Sequence, residues 1–316
     1  DLLAAFAVGV EVTLRLCAAM DGSLYRGPRW HAPGVIGPFG SAAVYGRLSG
    51  LDAPELQRAW GAALLHSAGT FSAIGTPGVK LTQARGAAAG LQAIVFARAG
   101  HGGSPDALVH PDGGLFDAYA GADPESVVRD LGTTWLSPEL SLRQWPASSS
   151  LQSLIAAVLD LRATEGPDEG ASLVIDLPPQ SYKLCAQMPW DSQLNALQSA
   201  AWVAGSAWVD GRCWLDQFES VGLRNQSRNA VAGRIRVVVD PQLPEGAARV
   251  RSGEGGNPAT RLHAPGSPAD PLGAEAIRAK LILAAGEARA AELTARVTGD
   301  QAGDSADLMA LFRLED

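Results

Sequence analysis

The chain has 316 residues, 47% apolar and 18% charged, which excludes a disordered polypeptide, since such chains are charge-rich and poor in core residues. Thirty-three acidic against 25 basic residues give a net charge of −8, so neither a nucleic-acid partner nor attraction to an anionic membrane surface is expected. Gly (36) and Pro (20) are frequent but not periodic, and 55 alanines, about one residue in six, point to a largely helical protein with closely packed helices.

Residues 2–20 are apolar nearly all round, with Glu11 and Arg15 four apart, and predict a helix buried on most sides. Residues 21–40 are rich in Gly and Pro and read as a loop holding Arg26, Arg29, Trp30 and His31. A small-residue helix follows from Ser41 to Gly50. Asp52-Ala-Pro-Glu55 has the form of a capping box and starts another helix through Trp60 and Leu64. A Gly-rich break at 69–79 leads to Lys80 and a helix over 83–99. Asp123-Pro-Glu125 caps a short helix to about Leu131. Residues 133–147 are irregular, and Ser148–Ser150 can cap a helix over 151–163. Strands are predicted at 172–177, at 234–240 and near 247–251, with a helix at 194–210 between the first two. Residues 252–272 read as a Gly/Pro-rich loop, 273–297 as a long helical stretch and 305–313 as a short helix.

This order gives a mostly helical fold with a smaller α+β domain: a helical domain over 1–134, an α+β domain over 135–268, and helices at 269–316 returning to the first. The three cysteines (Cys17, Cys185, Cys213) are widely spaced, so neither a zinc site nor a disulfide framework is expected, which fits a reducing cytoplasm. No apolar run of about 18 residues without a break is found, so no membrane span is expected. The opening at Asp1 reads as the interior of a longer protein. Only Lys80, Lys183 and Lys280 are lysines, against 22 arginines, so the position of each lysine is informative.

Six segments in order resemble the MmgE/PrpD family, whose members include 2-methylcitrate dehydratase, cis-aconitate decarboxylase and iminodisuccinate epimerase. They are Arg29-Trp-His-Ala-Pro-Gly-Val-Ile-Gly-Pro-Phe-Gly-Ser-Ala-Ala43, Arg47-Leu-Ser-Gly-Leu-Asp52, Gly78-Val-Lys-Leu-Thr-Gln-Ala-Arg-Gly-Ala-Ala88, Leu142-Arg-Gln-Trp-Pro146 with Leu154–Leu159, Ser199-Ala-Ala-Trp-Val-Ala204 with Asp210-Gly211, and Pro265–Leu272. The third departs from the family pattern by having Arg85 before Gly86. The resemblance implies a large helical domain and a smaller α+β domain with the active site in the cleft between them, a homodimer, and no metal or organic cofactor. It also implies that the family's N-terminal helices, with an active-site Asp and His, have no counterpart before Asp1.

Chemistry on small di- and tricarboxylates needs cations to hold carboxylates and a group near neutral pKa to move protons. From its residues alone, His31 is simply explained as a loop histidine bonded to backbone; the matched segment implies an active-site acid/base or donor. Lys80 matches the family's active-site lysine. Arg143 stands where a second lysine is usual; it can grip a carboxylate but not exchange a proton at neutral pH. Ser148 stands where a Cys or His occurs, and a helix cap explains it equally well. Trp202 replaces a common Tyr and is as readily a core residue, and Gln83 replaces a frequent His. Arg29 is a candidate carboxylate binder. His110 and His263 read as loop residues. The resemblance implies that His31, Lys80 and Arg143 converge on one cleft. The reading is a cofactor-independent lyase of the hydro-lyase or decarboxylase type acting on a small polycarboxylate. The alternatives are an epimerase or isomerase of a dicarboxylate, and a catalytically degenerate oligomeric binding paralogue.

Overall fold

A computed structural model of the chain describes residues 1–20, 30–73, 76–119 and 123–298. Arg26 and Arg29, and the helix expected over 305–313, lie outside the described residues. The chain divides into two compact units, Asp1–Glu139 and the residues from Leu140 on, the second of which includes the C-terminal helices. The fold is mostly helical with a small four-stranded sheet.

The first unit is built from helices α1 (Leu2–Ala19), α2 (Ala32–Leu48), α3 (Ala53–Leu64) and α4 (Gly78–Arg98), with short helices α5 (Leu115–Ala118) and α6 (Pro124–Val128). Its core gathers Leu16, Met20, Val35, Ile36, Phe39, Ile94, Leu115 and Phe116. The Asp52–Glu55 capping box is present: the Asp52 carboxylate accepts from Glu55 N at 2.8 Å, and Asp52 N donates to Glu55 Oε2 at 3.0 Å. The abundance of small residues has a physical use where α4 crosses α2. A Cβ on Gly90 would fall 2.0 Å from Ser41 Oγ and 2.3 Å from Ala42 N, so the two backbones approach through that glycine.

One expectation is corrected here. The segment 32–40, read as loop, is the first half of α2: Pro33 occupies the first turn, where a missing N–H costs nothing, and His31 is the N-cap. Pro38 then sits inside the helix without an N–H for the Gly34 carbonyl, and that carbonyl accepts instead from Ala68 N at 3.2 Å. With 18 residues and a mean hydropathy of 1.8, α1 is long and apolar enough to cross a membrane by length and composition alone. Its two charges are enclosed and paired. Glu11 and Arg15, 6% and 4% exposed, pair at 2.8 Å and bind the backbone of residues 127–137.

The second unit packs α7 (Gln152–Glu165) and α10 (Ala200–Asp210) on a sheet of β1 (Leu173–Leu177), β2 (Arg236–Val239), β3 (Ala248–Ser252) and β4 (Ala259–Arg261). The strand order is β2-β1-β3-β4; β1 runs parallel to β2 and antiparallel to β3, and β3 antiparallel to β4. β1 is buried along its whole length and is accordingly Leu-Val-Ile-rich. Its one charge, Asp176, is met by Arg251 at 2.6 Å. Short helices α8 (Pro179–Cys185), α9 (Gln193–Ala196) and α11 (Gln226–Ala232) connect these elements, and α12 (Ala274–Ala285) and α13 (Glu287–Thr298) follow the sheet. The helix expected over 194–210 is two helices, because Ser199 starts a new one by accepting from Trp202 N at 3.4 Å. The stretch 273–297 is likewise broken at Gly286, whose φ of +79° no helix tolerates. β4 lies in the stretch read as Gly/Pro loop.

All three cysteines are free, and burial pushes the thiols up, to about 11 for Cys17 and Cys185 and about 12 for Cys213. The folded protein is therefore expected to resist alkylation at pH 8, with three thiols reacting once denaturant is added. Rapid labelling of the native protein by a chromogenic disulfide reagent contradicts that.

Candidate active site

His31 is held from the backbone outward. Its N–H donates to Gly69 O at 3.0 Å, while Trp30 bridges Thr70 on the neighbouring strand-like segment. Ser67 Oγ donates to Val35 O at 2.8 Å, and Tyr119 Oη to Ser67 O at 2.6 Å, so the 66–70 loop is fastened along the first turns of α2. The imidazole is 7% exposed and lies edge-on to Phe71, ring centres 6.1 Å apart. Its Nδ1 is buried with no hydrogen-bond partner among the described residues. Burial first, and the nearby Lys80 charge second, hold its pKa below the ordinary 6.5, so at neutral pH the ring is a neutral base.

Lys80 lies within the first turn of α4, which begins at Gly78, five residues before the expected start. It is exposed, and its ammonium pairs with no carboxylate among the described residues. A cation at a helix N-terminus is unfavourable toward the dipole and strengthens the attraction of that end for an anion. His31 and Lys80 thus both lie in the first unit, and the Lys80 charge reaches the His31 ring. The same pair yields a direct check. In Lys80→Met the His31 ring is expected to titrate higher than in the wild type yet still below 6.5, because burial is the larger cause; NMR titration of the imidazole reads this, and an unchanged midpoint contradicts the coupling.

Arg143 and Ser148 are described within the second unit. The Arg143 guanidinium is exposed and makes one long hydrogen bond, 3.5 Å to Ala147 O. Ser148, expected as a cap, precedes a single 3₁₀ turn (Ser149–Leu151) without a capping bond from its side chain. Its N–H donates to Leu197 O at 2.9 Å, and its Oγ accepts from Cys185 Sγ at 3.9 Å. The residue that shapes this segment was not singled out from the sequence. Gln152, 2% exposed, accepts from the Gln144 and Trp145 N–H groups at 3.1 Å each. Its amide donates to the carbonyls of Trp145, Ala147 and Ser148 at 3.2–3.3 Å. A polar residue on the apolar side of a helix was the available signal.

The expectation that Trp202 contacts substrate meets a side chain with no exposed surface. It belongs to the core of the second unit, stacked on Trp190 with ring centres 6.3 Å apart, and its indole N–H has no partner among the described residues. Arg29 lies outside the described residues.

Residues 1–127 match the MmgE/PrpD N-terminal domain and residues 145–298 the MmgE/PrpD C-terminal domain. The chain is 26% identical over 256 residues to cis-aconitate decarboxylase of Mus musculus, covering 77% of this chain and 51% of that protein. It is 27% identical over 164 residues to cis-aconitate decarboxylase of Homo sapiens, covering 51% of this chain and 34% of that protein. The chain spans about half or less of the length of these relatives. With both of its units matched in order, the chain belongs to the MmgE/PrpD family.

Proposed function

We propose that the protein is a cofactor-independent lyase that moves a proton at the carbon beside a carboxylate of a small di- or tricarboxylic acid, with loss of water or CO2. The observation that carries this reading is the buried, partner-free, neutral His31 beside the unpaired Lys80. In the dehydration direction the imidazole takes the C–H proton, and the C–H electrons form the new double bond. The leaving hydroxyl departs with a proton as water. Lys80 offsets the charge that builds on the carboxylate oxygens as the proton leaves. In the decarboxylation direction the C–C electrons stay on carbon and a proton is returned there.

Similarity to two cis-aconitate decarboxylases supports the lyase class. Epimerisation needs proton-transfer groups on opposite faces of one carbon, and the position where a second is usual holds the enclosed Trp202. A homodimer is the assembly the resemblance implies. The test is to incubate the protein with a panel of di- and tricarboxylates, reading binding by thermal shift and products by NMR. An acid that raises the melting temperature and is converted to an unsaturated or decarboxylated product supports the reading. Binding without conversion supports a degenerate paralogue instead.

A further inference from the structure

We propose that a pocket inside the second unit is a carboxylate-holding site in which His263 and Ser267 act together with Arg143. The inference takes its ligand class from the function proposed above. The pocket has a volume of about 390 Å3, enough for a small organic acid, and its lining includes Arg143, Ser149, Gln152, Glu245, His263 and Ser267.

Local backbone bonding explains why two stretches far apart in sequence meet here. Leu142 N donates to Gly266 O at 2.7 Å, and Gly266 N donates to Asp270 O at 2.7 Å. Gly266 has φ +88°, and a Cβ there would fall 1.8 Å from Leu142 O, so only glycine lets the two segments close. This staple sets Arg143 beside the turn that carries His263 and Ser267. From the buried side, Gln152 fixes the backbone of 144–148, immediately after Arg143.

Three groups in this lining are without the partners their chemistry asks for. Among the described residues, Arg143 has no ion pair and one long bond. The Ser267 hydroxyl is buried with no hydrogen-bond partner among them, which costs free energy unless a ligand supplies an acceptor. The exposed His263 ring adds a nitrogen able to donate. Against them stands one acid, Glu245, whose Oε1 accepts from Gln180 N at 3.0 Å. One guanidinium opposed by one carboxylate suits a single carboxylate end of a ligand, with Arg143 meeting its charge and Ser267 and His263 its remaining lone pairs.

The experiment uses tricarballylate, a tricarboxylate with no hydroxyl to lose. Its affinity is measured by calorimetry, and histidine-labelled protein is followed by NMR. The expected result is that the ligand shifts the His263 ring resonances. Arg143→Ala is expected to weaken binding at least tenfold, and Ser267→Ala and His263→Ala each severalfold, with unchanged thermal melts. Inorganic phosphate is expected to bind more weakly, and equal binding of phosphate overturns the carboxylate assignment. If tricarballylate moves His31 but not His263, or if Ser267→Ala and His263→Ala bind as the wild type does, the pocket assignment fails while the catalytic reading stands. If His263 moves and no acid in the panel is ever turned over, the pocket stands and the catalytic reading fails.

Discussion

On the proposed function, His31→Ala is expected to lower kcat/KM by about 10²–10⁴-fold, the usual worth of a positioned acid/base, while leaving the protein folded. The same residue is then expected to set the acid limb of the pH profile. Because burial and then Lys80 hold its pKa below 6.5, activity persists below pH 6.5 and falls only as the ring finally takes a proton. The linkage to stability has the same direction. Below pH 6.5 the unfolded chain binds a proton that the folded ring resists, so stability that is fully present above 6.5 is lost as pH falls toward the folded-state value. A pH–rate profile with its acid limb at or above 6.5, or wild-type kcat/KM in His31→Ala, removes His31 from the mechanism.

Arg15→Met is expected to destabilise the first unit by about 3–5 kcal/mol, the cost of breaking a buried pair. Arg15 donates to Glu11 Oε1 at 2.8 Å, to Val127 O at 3.0 Å, to Arg129 O at 2.8 Å and to Thr134 O at 2.6 Å. Glu11 in turn accepts from Leu136 N at 2.9 Å and Ser137 N at 3.3 Å. The pair thus ties the segment leading to the end of the first unit onto α1. Methionine replaces the volume of arginine but leaves Glu11 charged and buried and three carbonyls without their donor. Adding Glu11→Gln removes the stranded charge, so the double variant is expected to lose less than the sum of the singles. Denaturant melts of the two singles and the double decide this; strict additivity contradicts the pairing.

Much of the architecture was legible because it depends on local pattern. The Asp52–Glu55 box and the apolar run of β1 each announce themselves within a few residues, whereas Asp123, expected to cap α6, gives its carboxylate to Arg129 instead. What was not legible depends on tertiary partners. Gly34, Gly37 and Gly40 read as loop, yet they lie in α2, where small residues serve packing and the freed Gly34 carbonyl finds Ala68. The Glu11–Arg15 pair of α1 was legible from its spacing, but its backbone partners, more than a hundred residues away, were not. β4 has three residues and is made a strand by its pairing with β3 alone. Among the candidate residues, the family-like segments singled out His31, Lys80 and Arg143, and the last segment, Pro265–Leu272, spans Gly266 and Ser267 without marking either. Gln152 left no comparable trace, since its role comes from backbone groups brought near only by folding.

Transfer of a proton at carbon can be observed whichever group then departs. In D2O, proton NMR of a turned-over polycarboxylate should show deuterium entering at the carbon beside the carboxylate with the wild-type protein and not with His31→Ala. Equal incorporation in both, or an acid consumed with no exchange at that carbon in substrate or product, contradicts the account.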